Sequence, residues 1–328
     1  MQNVLPTAAD VAEAHLRIRD WIVETPVLES EALSRRIGAR VLLKAECLQR
    51  GGSFKIRGAL NRILQLKADE RSAGVVAFSS GNHALAVAIA ARWLGCRATI
   101  VMPRDAPRAK LDGTRANGAE IVLYDRERDD REAIAARLAA EQGAALVPPF
   151  DHAHVIAGQG TAALELGRAL ALEHLTLDAF YAPCSGGGLV AGCALAIKSV
   201  FAGCAVYAVE PVGYTRLAES LQAGERRVLS AHPPTLCDGL RAPAAGAITF
   251  AINRRELKGA VAVDDDAVLE AMALAAQHLK VVLEPSGAAA LAALLRYPPQ
   301  GECVAAILSG GNVDAELLSK AVTRFASA

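Results

Sequence analysis

Short apolar runs of strand length alternate with longer segments rich in alanine and leucine along most of this chain. A strand that is apolar at nearly every position is buried on both faces, which is typical of parallel sheets covered by helices. Such runs occur at residues 39–45, 74–79, 98–102, 120–124, 179–181, 205–209, 260–263 and 304–308. The alternation predicts an α/β fold with parallel-type sheets flanked by helices.

The composition limits the class of protein. The chain has 328 residues, 52% of them hydrophobic, and its 35 basic residues balance 35 acidic ones. This balance gives no reason to expect a nucleic acid or an anionic membrane as partner. The apolar runs are too short to span a bilayer, and residues 1–6 lack the pattern of a signal peptide. We therefore expect a cytoplasmic protein of two modest domains or one large one.

Seven cysteines are scattered along the chain, at positions 47, 96, 184, 193, 204, 237 and 303. Their odd number and the lack of a Cys-x-x-Cys pair argue against a disulfide framework or a zinc site. We expect each to be a small buried apolar residue in a protein of a reducing compartment.

Lys55 lies between Phe54 and Ile56, three residues after the second glycine of a glycine-rich turn at residues 51–52. A lysine amine is nucleophilic only when it is neutral, and a pocket that excludes water lowers its pKa far enough for that. Taken alone, the pattern fits a surface lysine at a helix start better than a nucleophile. Lys55 becomes a candidate catalytic residue through the three further motifs described next.

Three consecutive glycines follow the run at 179–181 and precede a helical segment from Val190 onward. Without Cβ atoms the backbone can turn tightly and point several N–H groups at one anion, and a helix N-terminus adds partial positive charge. A plain strand-to-helix turn needs fewer glycines. The motif therefore predicts a phosphate-binding loop formed by Gly186, Gly187, Gly188 and Leu189.

A second glycine motif, at residues 158–163, fits the G-x-G-x-x-A pattern of dinucleotide-binding proteins, and Asp178 lies 18 residues beyond Gly160. That pattern requires a strand directly before it, and residues 151–156 are short and polar. The sequence favours a helix start whose small residues pack closely. An NAD-dependent dehydrogenase is kept as a remote alternative.

Polar residues follow the apolar run at 74–79 and precede a helical segment. In open α/β sheets ligands bind at that edge, and hydroxyl, amide and backbone N–H groups there suit a carboxylate. One of the two serines is equally well explained as a helix N-cap, and the histidine as a packed side chain. The candidate substrate residues are Ser79, Ser80, Gly81, Asn82 and His83.

These motifs, together with Ser309 and the glycines after it, resemble the fold-type II pyridoxal-phosphate enzymes, specifically the threonine/serine dehydratase and serine racemase family. The resemblance covers nearly the whole chain and implies a tryptophan synthase β-like fold. It implies that Lys55 carries pyridoxal phosphate, that Phe54 packs near its ring, and that Ser309 meets the pyridine nitrogen. It also implies a small domain at residues 73–148 inserted into a large domain of residues 1–72 plus 149–328, with the active site between them.

The resemblance assigns further roles. It implies that residues 79–83 bind the substrate α-carboxylate, that Asn82 also contacts the cofactor, and that Ser80 is the opposite-face acid/base of the racemase branch. Glu284 would lie near the cofactor, or be an N-terminal helix acid. Arg131 would face the substrate, or be a solvated residue of a charged helix.

The function that the resemblance implies is β-elimination of water from a 3-hydroxy amino acid such as threonine or serine, giving a 2-oxo acid and ammonia. A hydroxyl partner such as Ser309 gives the pyridine nitrogen little electrostatic reason to stay protonated, which favours expulsion of a β-leaving group. Racemisation of a serine-type amino acid and dehydration of 3-hydroxyaspartate stay open as alternatives. The resemblance also implies a homodimer.

Metal-dependent relatives hold Mg²⁺ or Ca²⁺ with a glutamate, a backbone carbonyl and a further carboxylate. Glu210 and Tyr214 match the first two positions in this chain, and Arg216 stands where the further carboxylate would be. A guanidinium repels a divalent ion, which needs several hard oxygen ligands. We predict no metal here, with Arg216 either paired with Glu210 or exposed to solvent.

Overall fold

The computed structural model describes residues 5–106, 108–230, 233–297 and 301–325. Within these ranges the strands form one six-stranded and one four-stranded sheet. The strands are β1 (Val27–Glu29), β2 (Arg40–Lys44), β3 (Val75–Phe78), β4 (Ala98–Pro103), β5 (Glu120–Tyr124), β6 (Ala145–Leu146), β7 (Ala179–Pro183), β8 (Ala205–Pro211), β9 (Gly259–Val263) and β10 (Cys303–Ile307).

The α-helices lie between strands along the chain, except that one precedes the first strand and one follows the last strand. They are α1 (Ala8–Ile18), α2 (Glu31–Ile37), α3 (Lys55–Leu64), α4 (Ala68–Ala73), α5 (Asn82–Trp93), α6 (Arg108–Ala116), α7 (Arg131–Gln142), α8 (Ala153–Leu172), α9 (Gly188–Val200), α10 (Arg216–Ala223), α11 (Ala247–Glu256), α12 (Asp265–Leu274), α13 (Pro285–Arg296) and α14 (Ala315–Arg324). In the described ranges no helix combines the length and the apolar character that a membrane span requires.

The larger sheet has the strand order β1-β2-β10-β7-β8-β9. Its central strands β7 and β10 are buried at every residue, as the continuous apolar runs predict. Because side chains alternate along a strand, Phe180 packs into the core beneath α8 and α9, and its neighbour Tyr181 packs into the core beneath α12 and α13. Helices therefore cover both faces of the sheet.

The smaller sheet has the strand order β5-β4-β3-β6, and its strands are parallel throughout. All four strands lie within the segment 73–148 that the resemblance assigns to an inserted domain. The limits of that domain stay a prediction. The α/β fold class with parallel-type sheets flanked by helices is confirmed.

The eight apolar runs correspond to β2–β5 and β7–β10, with ends that differ by two residues at most. The sequence pattern missed β1 and β6, because strands of three and two residues are too short to show a periodicity. β1 pairs antiparallel with β2, so the larger sheet is not purely parallel. The helix expected from Val190 begins earlier, at Gly188.

The second glycine motif lies inside α8 rather than between a strand and a helix. A Cβ atom at Gly158 would lie 2.6 Å from the Arg57 carbonyl oxygen, and one at Gly160 would lie 2.5 Å from the Gly192 carbonyl oxygen. These glycines therefore let α8 approach α3 and α9 closely. The expected close packing is confirmed, although the motif is past the helix start, and the dinucleotide-binding alternative is wrong.

The cysteines lie in the interior of the protein. All seven are buried and carry free thiols, so the expectation of small buried apolar residues is confirmed. Burial raises the pKa of the Cys47 and Cys204 thiols to about 12, which keeps them protonated and unreactive.

Candidate active site

A cavity of about 580 Å³ lies between the carboxyl ends of the two sheets. It has the size that is usual for a site that takes a cofactor or a small ligand. All the residues that the sequence singled out as site candidates line it: Phe54, Lys55, Ser79, Ser80, Gly81, Asn82, His83, Arg131, Gly186, Gly187, Gly188, Leu189, Glu284 and Ser309. The fold thus brings together motifs that are up to 255 residues apart, from Phe54 to Ser309.

Lys55 is the first residue of α3, and its amine faces the cavity. The Nζ atom donates a hydrogen bond to the Pro149 carbonyl oxygen at 2.7 Å and lies 5.3 Å from the centre of the Phe54 ring. Burial lowers the pKa of Lys55 to about 8. Roughly one amine in ten is then neutral at pH 7, against about one in three thousand for an ordinary lysine. A neutral amine is the form that can act as a nucleophile, and the role of Lys55 as that nucleophile stays a prediction.

The glycine loop connects β7 to the N-terminus of α9. Gly187 has a φ of +91°, and a Cβ atom there would lie 2.6 Å from the Asn253 side-chain nitrogen. A Cβ atom at Gly186 would lie 2.3 Å from the Phe150 ring. Within the described residues the amide groups of Gly186, Gly187 and Gly188 donate to no protein acceptor. Three unpartnered donors at a helix N-terminus fit the phosphate group of a cofactor.

Helix α11 holds this loop from behind, a contact that the sequence analysis missed. The Thr249 hydroxyl donates to the Gly186 carbonyl oxygen at 2.6 Å, and the Asn253 amide donates to the Gly187 carbonyl oxygen at 3.3 Å. Both side chains are fully buried. Thr249 and Asn253 are one helical turn apart on α11, and a turn-spaced Thr and Asn carry no recognisable sequence signal.

The loop at residues 79–83 leads from β3 into α5. The Ser79 hydroxyl accepts a hydrogen bond from the Gly81 amide at 3.1 Å, and the N-cap position of α5 is Gly81 itself. Helix capping therefore explains neither Ser79 nor Ser80, and that alternative is wrong. Ser80 and the first two residues of α5, Asn82 and His83, line the cavity.

His83 is a buried side chain of α5. Its Nε2 atom lies 2.8 Å from the Val147 carbonyl oxygen, which can only accept a hydrogen bond, so the ring proton is on Nε2. Burial, and secondly the nearby Lys55, lower the pKa of His83 to about 3. The ring is therefore neutral at physiological pH, which fits a packed histidine that ties α5 to residue 147 better than an acid/base.

Asn82 and Glu284 form a hydrogen-bonded pair across the cavity. The Asn82 amide nitrogen donates to a Glu284 carboxylate oxygen, and the Asn82 amide oxygen accepts from Asn312 at 2.8 Å. Burial, and secondly Asp238, raise the pKa of Glu284 to about 7. Glu284 occupies the N-cap position of α13 without making a capping bond and also lines the cavity, so it is both a helix-terminal acid and a residue of the site.

Ser309 follows β10 and is buried beside the segment that carries Lys55. The Phe54 amide donates to the Ser309 carbonyl oxygen at 3.2 Å, and Ser53 forms a β-bridge with Gly310. The Ser309 hydroxyl lies 3.5 Å from the Ser286 carbonyl oxygen and lines the cavity. The two motifs are therefore direct neighbours.

Cationic side chains surround the mouth of the cavity. Lys110 of α6 pairs with Asp238 at 2.6 Å, a contact between residues 128 positions apart that the sequence did not indicate. Arg126 pairs with Asp105 at 2.7 Å. Arg131, the first residue of α7, has its guanidinium 5.5 Å from the centre of the Phe78 ring. Among the described residues Arg131 forms no ion pair, so its charge is available to a ligand.

Arg216 and Glu210 form a buried ion pair behind the glycine loop. Both side chains are fully buried, and the Arg216 Nη1 atom lies 3.1 Å from the Glu210 Oε1 atom. Of the two alternatives that the sequence left open, pairing is confirmed and an exposed arginine is wrong. The residues that would ligate a divalent ion surround a guanidinium instead.

Several known proteins are similar to this chain in sequence and in structure. The chain is 44% identical over 314 residues to the L-threo-3-hydroxyaspartate ammonia-lyase of Saccharomyces cerevisiae, covering 95% of this chain and 94% of that protein. It is 40% identical to the serine racemase of Schizosaccharomyces pombe, covering 95% and 96%. The crystal structure of a threonine deaminase from T.th. superposes with a TM-score of 0.89 at 44% identity, covering 94% of this chain and 99% of that one.

The profile of the family described as "Pyridoxal-phosphate dependent enzyme" matches residues 18–310. The buried amine of Lys55 with its lowered pKa, the glycine loop with its unpartnered amides and the cavity that both line fit this cofactor. The chain therefore belongs to the fold-type II pyridoxal-phosphate dependent enzymes, in the branch of ammonia-lyases and amino-acid racemases, and its cofactor is pyridoxal 5'-phosphate.

Proposed function

We propose that this enzyme deaminates a 3-hydroxy amino acid by β-elimination of water, and that L-threo-3-hydroxyaspartate is its preferred substrate. The observation that supports the substrate is the guanidinium of Arg131, which faces the cavity and forms no ion pair among the described residues. A substrate with a second carboxylate would supply that partner. The similarity to a hydroxyaspartate ammonia-lyase points the same way.

The cofactor, when bound, supplies an electron sink for bond breaking at the substrate α-carbon. Lys55 would hold the cofactor between turnovers and, once released, accept the α-proton at its Nζ atom. A pKa of about 8 suits both roles, because the amine is neutral often enough to act as a base and basic enough to keep the proton.

The loop before α5 would bind the substrate α-carboxylate through the Ser79 and Ser80 segment and the amides at the start of the helix. Asn82, held by Glu284 and Asn312, would fix the position of that helix start relative to the cofactor. Arg131 would bind the side-chain carboxylate on the opposite side. Binding at both ends orients the α-hydrogen towards Lys55.

Ser309 would meet the pyridine nitrogen of the cofactor with a hydroxyl. A hydroxyl stabilises the protonated nitrogen far less than a carboxylate does, so the ring withdraws electrons less strongly. That favours loss of the β-hydroxyl over reprotonation at the cofactor. Elimination of water followed by hydrolysis gives a 2-oxo acid and ammonia, which for 3-hydroxyaspartate is oxaloacetate.

The substrate is tested by comparing kcat/KM for L-threo-3-hydroxyaspartate, L-serine and L-threonine in the wild type and in Arg131→Met. We expect the wild type to prefer the dicarboxylate. A charge-assisted hydrogen bond contributes about 1.5–3 kcal/mol, so Arg131→Met should lower kcat/KM for hydroxyaspartate by about 10- to 100-fold and change that for L-serine far less. Arg137→Met, an exposed arginine on the same helix, is the matched control.

Equal losses for both substrates would place Arg131 at the shared α-carboxylate and reject the substrate proposal. Ammonia released from L-threonine but not from hydroxyaspartate would reject the substrate and keep the reaction. If chiral chromatography shows that L-serine is converted to D-serine and no ammonia is released, the reaction is racemisation instead. The Ser80 hydroxyl in the cavity is the feature that favours this second reaction.

Uptake of the cofactor should follow the ionisation of Lys55. Because only the neutral amine reacts with an aldehyde, the initial rate at which the apoprotein takes up pyridoxal phosphate should rise about tenfold per pH unit below pH 8 and level off above it. Visible absorbance in a stopped-flow instrument measures this rate. N-acetyl-lysine is the reference, for which the rise continues to about pH 10. A similar continued rise in the protein would contradict the lowered pKa.

We also propose that residues 73–148 close over the substrate and that two copies of the chain form a dimer. The Lys110–Asp238 ion pair joins α6 to residue 238 beside the cavity and would help to hold the closed form. Light scattering of the purified protein tests the dimer. Small-angle scattering with and without substrate tests the closure.

A further inference from the structure

Arg216 is a buried cation surrounded by oxygen atoms directly behind the glycine loop. Its side chain is fully buried. The Nη1 atom lies 3.1 Å from the Glu210 Oε1 atom and donates to the Tyr214 carbonyl oxygen. The Nη2 atom donates to the Cys184 carbonyl oxygen at 3.1 Å and to the Ser185 carbonyl oxygen. Four oxygens from three separate segments of the chain therefore surround one guanidinium.

The bond to Ser185 fixes the orientation of a donor in the phosphate loop. In a trans peptide the C=O and the following N–H point in opposite directions. Because the Ser185 carbonyl points at Arg216, the Gly186 N–H points away from the guanidinium. This amide is one of those without a protein acceptor in the described part of the chain, and Gly186 lines the cavity.

Glu210 anchors the guanidinium from the other side. Its carboxylate accepts from the Leu217 and Ala218 amides at the start of α10, both at 3.0 Å. Burial raises the pKa of Glu210, and the Arg216 guanidinium opposes that rise. The helix α10, the strand β8 and the glycine loop are thus joined at one buried positive charge.

The donor set around Arg216 does not fit a resident divalent ion. Glu210 is the single carboxylate in contact with Arg216 among the described residues, and the space between the oxygens is filled by the guanidinium itself. Mg²⁺ and Ca²⁺ need several oxygen ligands at about 2.0–2.6 Å, and a cation in their place repels them.

We propose that Arg216 is an internal replacement for a divalent cation: its guanidinium holds the phosphate loop in the binding orientation, so the enzyme retains its cofactor without metal. Arg216 is a positioning residue, since it acts on the cofactor through the peptide groups of residues 184–186. The proposal does not depend on which amino acid is the substrate.

The first test measures the affinity of the wild-type apoprotein for pyridoxal phosphate, and for inorganic phosphate as a probe of the loop alone, by calorimetry. Both affinities should be the same in EDTA, in Mg²⁺ and in Ca²⁺. Affinity that is lost in EDTA and restored by either ion would overturn the proposal.

The second test removes the guanidinium. Arg216→Gln should weaken inorganic phosphate binding and pyridoxal phosphate binding by at least about tenfold, because the loop loses charge-assisted hydrogen bonds. The double variant Glu210→Gln/Arg216→Gln removes both buried charges together and should fold, yet bind as weakly as the single variant. Wild-type phosphate affinity in the folded double variant would overturn the proposal.

The third test rebuilds the ion site. Arg216→Asp places a second carboxylate beside Glu210 and the carbonyl oxygens, so Ca²⁺ should restore the phosphate and pyridoxal phosphate affinities that this variant lacks in EDTA. A purely structural role of Arg216 predicts no such rescue. Arg255→Asp, at an exposed arginine, is the control and should show no Ca²⁺ effect. If Arg216→Asp does not fold, the wild-type and double-variant affinities decide the outcome.

Discussion

Replacing Lys55 with alanine is expected to abolish both turnover and the covalent attachment of pyridoxal phosphate. A positioned proton-transfer group contributes up to about 10⁴-fold to the rate, so kcat should fall by at least about that factor. Lys55 lies at the start of α3 with its amine 2.7 Å from the Pro149 carbonyl oxygen and its pKa lowered to about 8. Release of ammonia measures the loss, and borohydride reduction followed by peptide mass analysis measures the attachment.

Two further variants separate the chemistry of Lys55 from its charge and from general damage. Lys55→Arg keeps a cation but has no nucleophilic amine, since a guanidinium stays protonated. We expect it to be as inactive as Lys55→Ala. Lys320→Ala removes an exposed lysine of α14 that does not line the cavity and should leave activity unchanged. A reduced peptide that carries the cofactor at another lysine in wild-type protein would reject the assignment.

The parts of the site that the sequence predicted are those with a local signature. Lys55 became a candidate only through the motifs elsewhere in the chain, whereas three glycines after a strand have a backbone reason that is visible within a few residues. The long apolar strands were predictable for the same reason, because their burial on both faces leaves nearly every position apolar. The glycine loop and Ser309 meet because they follow β7 and β10, neighbouring parallel strands whose carboxyl ends share an edge, whereas the loop at residues 79–83 follows β3 of the other sheet.

Contacts between distant charges were not predictable in this way. A sequence gives no sign of burial for a single arginine, so Arg216 could have been paired or exposed, and only the fold decides. Lys110 and Asp238 are far apart along the chain and meet because α6 and residues 238–240 face the same cavity. Thr249 and Asn253 support the glycine loop through ordinary hydrogen bonds that no motif marks.

A buried network of four charges lies beneath the start of α3, and it is the part of the fold on which stability should depend most. Arg57, two residues after Lys55, contacts Glu46 at 2.7 Å and Glu165 at 2.6 Å. Lys44 contacts Glu165 at 2.7 Å. All four side chains are almost completely buried, and their two positive and two negative charges balance.

Replacing Glu165 with leucine is expected to lower the free energy of unfolding by about 3–5 kcal/mol, because two buried cations then share one carboxylate. This is a large part of the roughly 5–15 kcal/mol that is typical of a folded domain. The measurement is urea unfolding followed by circular dichroism. Glu31→Ala breaks an exposed ion pair with Arg35 and, as the control, should change the free energy of unfolding by less than about 1 kcal/mol.

Removing a cation together with the anion should recover part of the loss. In the double variant Arg57→Met/Glu165→Leu, one cation and one anion are left, Lys44 and Glu46. We therefore expect it to lose less stability than the sum of the losses in the two single variants.

The acid dependence of stability tests the same network. Burial alone would raise the pKa of Glu46, but Arg57 holds it below its ordinary value. That contribution to stability is present above about pH 4.5 and is lost as the pH falls further, so the wild type should lose stability in acid more steeply than the double variant. If the free energy of unfolding lost in the double variant equals the sum of the losses in Arg57→Met and Glu165→Leu, these charges act independently rather than as one network. An acid dependence that is the same in the wild type and the double variant would show the same.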